Sequence, residues 1–179
     1  ALRDAMLLAS GELDLTPAEG SIVSRVGDGD IGRNLRETQF AANDPKRSVY
    51  LPILRNAVPE ALQVFDFPEP SIIAGQRDVT TVPTQALYLM NSPFVLERAQ
   101  VLAQRLLQDD SLTSDQQRIS RAFRHTLCRE PAPEELASAE RFINEAIPLS
   151  QARGMEPKLK AWMGFCHVLF GSAEFRYLQ

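Results

Sequence analysis

The fold turns on residues 83–107, PTQALYLMNSPFVLERAQVLAQRLL, in which two prolines each open a helix. Pro83 stands where a first helical residue has no need of its N–H, and predicts a helix over Thr84 to Met90. Ser92-Pro93 repeats the device. Beyond it Val95, Ala99, Leu102 and Leu106 recur at the helical period, so one face of a second helix is apolar. Toward the C-terminus the pattern stays helical. Ser114-Asp115-Gln116-Gln117 is a capping box, followed by Ile119, Ala122/Phe123 and Thr126/Leu127 as inward positions. Pro133-Glu134-Glu135 puts acidic residues at the positive end of a further helix with Leu136, Ala139, Ile143 and Ile147 inward. Lys158 to Gly171 is apolar nearly all round, which marks a helix buried on several sides and the centre of the core.

Toward the N-terminus the signals are weaker. Ala1 to Ser10 reads as the last turns of a helix, with Leu2, Met6 and Ala9 on one face and Gly11 as its stop. Gly11 to Thr38 is rich in glycine and reads mostly as loop; Thr16 to Glu19 has the form of a capping box with little helix after it. Ser48 to Leu54 favours strand, but Pro52 removes a ladder donor, so an edge strand or extended segment is the most it can form. A short helix follows Pro59, carrying Ala61, Leu62 and Phe65. Phe65 to Pro70 is expected to be extended, because a proline disfavours helix in the residue before it, with both phenylalanines docked on the core. The fold class is thus mainly α: a single helical domain over 1–179, with an irregular arm (1–46), a central block (47–94) and a helical bundle (95–179).

The chain of 179 residues carries 19 basic and 23 acidic side chains, a net charge of -4, with no basic stripe, which argues against a nucleic-acid binder. The longest apolar run, Ala161 to Phe170, is about half of what a membrane span needs, so no membrane insertion is expected. The chain opens without Met and without a signal-peptide pattern, and is read as a C-terminal fragment of a longer parent. Cys128 and Cys166 are too few to define a disulfide framework.

Arg47-Ser48-Val49-Tyr50, Phe65-Asp66-Phe67-Pro68, Gln76 to Leu87 and Met90-Asn91-Ser92-Pro93-Phe94 together resemble a planctomycete-specific C-terminal domain family of unknown function. The opening LRDAMLLASGELDL, the stretch from Ile119 to Glu135 and the closing SAEFRYL extend the resemblance over nearly the whole chain. Members belong to large proteins that often carry a cytochrome-c-like domain. The resemblance therefore implies an extracytoplasmic bacterial setting and partner domains on the same parent chain. It implies no activity. No Cys-x-x-Cys-His occurs, so no haem module, and no other cofactor, is expected in this fragment.

Arg77, Gln85 and Asn91, with Asp78, Thr80 and Thr81, form the most prominent polar set. An arginine and two amides near helix starts have the chemistry to bind a carboxylate, sulfate or sugar, but turns and caps recruit the same residue types, so satisfying the backbone of an irregular connection is the preferred reading. Other constellations have plainer explanations. His125, Cys128, Cys166 and His167 add up to four zinc donors, but adjacent helical side chains such as Cys166 and His167 point about 100° apart. Asp28-x-Asp30 reads as a turn, because Gln39 stands where a calcium loop needs glutamate. Glu134/Glu135 and Asp109/Asp110 read as helix-end residues. No catalytic motif is present. The expected role is a non-catalytic accessory module that docks to a neighbouring domain or binds a polyanionic or carbohydrate ligand. The alternative is half of a hydrolytic or redox site completed by the rest of the parent.

Overall fold

A computed structural model describes residues 2–20, 44–53, 58–70, 73, 75, 80–150 and 156–177. The chain is mainly helical, and no strand occurs among the described residues. The helices are α1 (Leu2–Ser10), α2 (Glu60–Gln63), α3 (Pro83–Asn91), α4 (Pro93–Gln108), α5 (Asp115–Leu127), α6 (Pro133–Leu149), α7 (Pro157–Gly171) and α8 (Ala173–Arg176). Two compact units can be told apart, one of Leu13–Tyr88 with Arg3, the other of Asp4–Glu12 and Leu89–Gln179 with Leu2.

In the first unit an isolated parallel bridge joins Asp14 to Lys46. Lys46 Nζ lies 2.5 Å from Asp14 Oδ2, and Arg3 donates to Lys46 O at 2.9 Å. Ser48–Tyr50 forms a 3-10 turn, followed by an extended Leu51. α2 starts after Pro59, as its sequence predicts. Its exit differs from the extended run expected at Phe65 to Pro70: 64–66 form a turn, and Asp66 adopts φ 59. Prolines at 68 and 70 restrict only 67 and 69, which leaves Asp66 able to take the left-handed conformation that closes a helix. Phe67 N accordingly donates back to Leu62 O at 3.1 Å. Phe65 meets Tyr88 edge to face, 5.8 Å between centroids.

The second unit is built around α7, which packs against α4 and α6 and touches α5 and α8. Trp162 and Phe170 of α7 are fully buried, as are Val95, Ala99 and Leu102 of α4, Ile119 of α5 and Ile143 of α6. Burying each large apolar side chain contributes roughly 1.5–3 kcal/mol, so this seam dominates the unit's stability. The predicted capping box of α5 is present: Ser114 Oγ accepts from Gln117 N at 3.3 Å, and Gln117 Oε1 accepts from Ser114 N at 3.2 Å. α1 ends as Gly11 requires. Gly11 at φ +77 gives its N–H to Leu8 O at 3.0 Å while Glu12 N reaches Leu7 O at 2.8 Å, the paired bonds of a Schellman stop. Buried Ser10 donates to Glu12 Oε2 at 2.9 Å, and the same oxygen lies 3.0 Å from Arg98 Nε on α4. α8 is too short to show a period; Ser172 caps it by accepting from Phe175 N at 3.2 Å.

Candidate functional site

Asp66 is the centre of the polar set in the first unit. Aspartate tolerates the left-handed region better than most residues, and that backbone aims its carboxylate across the turn. Oδ2 accepts from Thr80 N at 2.8 Å and Oδ1 from Thr80 Oγ1 at 2.7 Å, so one residue is gripped by both oxygens. Gln85 Nε2 approaches the same carboxylate at 3.4 Å. The other end of that amide turns to the helix start. Gln85 is the third residue of α3, and its Oε1 accepts from Val82 N at 3.4 Å, the reach-back half of a capping box. With 1% of its surface exposed, Gln85 is fully enclosed.

The three residues singled out from the sequence therefore fall in different places. Gln85 is engaged by Asp66 and by the start of α3. Asn91 is exposed at the last position of α3, within the second unit, and lies about 120° around the helix from Gln85, so the two share no face. Arg77, like Asp78, Asp28 and Asp30, lies outside the described residues. Sequence reasoning missed Asp66 as the organiser. The signal was an aspartate directly after a short helix, two residues before a proline, where a helix-closing left-handed residue belongs.

In the second unit, Arg129 holds two carboxylates at once. Its Nη1 and Nη2 meet Glu135 at 2.7 and 2.8 Å, while Nε and Nη2 meet Glu174 at 2.6 Å each. The guanidinium also lies 5.4 Å from the Phe123 ring centroid. These hydrogen bonds, Glu135 first, push the arginine pKa up; in return Arg129 holds Glu135 down at about 2 and lowers Glu174. Glu135 Oε2 also accepts from Ala132 N at 2.7 Å, the helix-end role expected of it.

The histidines and cysteines are dispersed. Cys128 ends α5 at φ 55 and is exposed; Cys166 is fully buried, and desolvation pushes its thiol pKa up. Among the described residues no three of His, Cys, Asp or Glu are grouped to hold a metal. None of the described helices is long and apolar enough to cross a membrane.

What these two centres define is a helical module in which Asp66, Gln85 and Glu135 each accept from backbone N–H groups of the chain itself. The chain belongs to the PSD1 family, described as "Protein of unknown function (DUF1553)", and matches it over residues 1–143. The match ends within α6, before α7, the helix on which α4 and α6 pack. No curated protein and no solved structure matches the chain.

Proposed function

We propose that this chain is an accessory, non-catalytic module of a larger exported bacterial protein, and that it docks against a neighbouring domain of the same parent through α6 and α7. The observation that carries this reading is an apolar surface left open on the second unit. Phe142 of α6 is 41% exposed and Val168 of α7 is 59% exposed. The Phe142 ring lies 3.6 Å from where a Gly164 side chain would begin, and Val168 follows Gly164 by one turn on the same face. Leu149, 82% exposed, continues the Phe142 face two turns on. Open apolar side chains placed together are costly in water and favour a covering partner. The half-site alternative called for a polar concavity containing Arg77 or Gln85, and Gln85 is enclosed and engaged. The resemblance to planctomycete proteins with cytochrome-c-like domains supports an extracytoplasmic setting and a partner on the same polypeptide.

The test is to produce the neighbouring domain of the parent protein separately and measure its association with this chain by calorimetry. Saturable binding that F142E and V168E each weaken by about tenfold or more supports the reading, since a charge buried at an interface is strongly unfavourable. Absence of binding, or binding indifferent to both changes, overturns it.

A further inference from the structure

Arg98 of α4 is a buried cation most of whose donors are idle. Its side chain is 10% exposed and lies between two carboxylates, that of Glu12, just beyond α1, and that of its neighbour Glu97. Nε stands 3.0 Å from Glu12 Oε2 but off the N–H line, so the contact is one of charge and not a hydrogen bond. Nη2 donates to Glu97 Oε2 at 3.5 Å, a long bond, and Nη1 donates to no described residue and reaches the surface. The guanidinium is held in place from behind by Phe94, one turn earlier, whose ring centroid lies 5.2 Å from Cζ. Glu12 is held too, because buried Ser10 donates to its Oε2 at 2.9 Å. That leaves Oε1 of Glu12, and Oε1 of Glu97, without a partner among the described residues. Five donors sharing one long bond fall well short of the pairing that buried polar groups ordinarily reach.

We infer that Arg98, Glu12 and Glu97 form a subsite for the hydroxyl groups of a neutral carbohydrate. The idle N–H groups call for acceptors, yet the charge of Arg98 is already outweighed: two carboxylates against one guanidinium leave a net negative charge, which repels an anion. The acceptor is therefore uncharged. Beside it the two Oε1 atoms call for donors. A hydroxyl accepts and donates at once, and neighbouring hydroxyls on a sugar ring offer both functions along one edge. A peptide group offers one of each, but its trans geometry points N–H and C=O in opposite directions, so one edge of it cannot serve guanidinium and carboxylate together. Because Ser10 and Phe94 already fix the two central side chains, little rotamer freedom is lost on binding.

This subsite goes beyond the docking reading and does not depend on it. The experiment titrates the chain with three neutral hexaoses, cellohexaose, maltohexaose and xylohexaose, and with hexagalacturonate and tetraglycine as the acidic and peptide probes, following the Arg98 Nε–H resonance and the heat of binding. Saturable binding of at least one neutral hexaose, with the Arg98 resonance moving and hexagalacturonate and tetraglycine binding more weakly, is expected. R98K, which keeps the charge and loses the fork, and E97A, at an exposed position, should each weaken that binding by about tenfold, as loss of a charge-assisted hydrogen bond does. Emission of the chain's one tryptophan checks that both variants fold. Failure of all three hexaoses to bind overturns the inference. So does hexagalacturonate or tetraglycine binding as tightly as the best of them, or binding that both folded variants retain in full.

Discussion

The ring of His167 on α7 and the carbonyl of Leu89 on α3 meet at 2.8 Å, Nε2–H donating to the oxygen. The contact answers a local deficiency. α3 stops at Asn91, and Pro93, four residues beyond Leu89, has no N–H to offer that carbonyl. A histidine distant in sequence supplies the missing donor. His167→Ala should therefore lower stability by about 1–2 kcal/mol, while His167→Gln, which keeps an N–H, should recover part of it. Urea unfolding followed by tryptophan emission measures both; equal midpoints for wild type and His167→Ala would show that the contact contributes nothing.

Asp66 carries two demands, a left-handed backbone and an acceptor for Thr80. Asparagine meets the first and half of the second, alanine neither. Thermal unfolding should rank Asp above Asn above Ala, with Asp66→Ala losing about 1–3 kcal/mol. A ranking with alanine at or above asparagine would remove Asp66 from the centre of the first unit.

Gly11 is required twice. Its φ of +77 is strained for any residue with a side chain, and a Cβ there would displace the Arg105 guanidinium. Gly11→Ala should lower stability by about 1–2 kcal/mol. An unchanged melting temperature would count against the Schellman stop.

The Arg129 clamp predicts an acid response with a definite sign. Glu135 falls from an ordinary 4.5 to about 2 in the folded chain, so the folded state favours its ionised form. The associated stability is complete above about pH 4.5 and fades as pH falls toward 2, with Glu174 shifted in the same direction. Because the clamp is open to solvent, the loss should be local and salt-sensitive rather than global. Amide protection in α8 should drop between pH 6 and 3, and with added sodium chloride at pH 6. Arg129→Lys should mimic the acid effect, because an ammonium lacks the fork that reaches both carboxylates. Protection indifferent to pH, salt and Arg129→Lys would leave the clamp without consequence.

The cysteines should differ in reactivity. Exposed Cys128 should react with a thiol reagent in the folded protein, and buried Cys166, its thiolate disfavoured by desolvation, only after unfolding. Both reacting at one rate under native conditions would place Cys166 at the surface.

Much of the helical half was legible because its signals are local. Pro83, Pro93 and Pro133 sit at helix starts, Ser114 and Gln117 make their capping box, and the period of Val95, Ala99, Leu102 and Leu106 matches the buried face of α4. The polar set was legible only as a set. Gln85 reads as a cap or as a ligand amide, the first preferred, until its neighbours are known, and the Asp66 grip on Thr80 spans a separation of 14 residues. α8, a single turn, offers no period to read.

By itself the sequence determined where the longer helices start, which of their faces are apolar, that α7 belongs at the centre, and which family the chain resembles. The helical features follow from propensities and spacings among near neighbours, and the resemblance from the motifs that carry it. Only the tertiary structure decided which polar groups meet: Asp66 with Thr80, His167 with Leu89 across 78 residues, Arg129 with Glu174 across 45. A hydrogen bond depends on approach to within about 3 Å and on direction. The apolar pattern brings helices together without specifying the side-chain register at that precision, which packing alone sets.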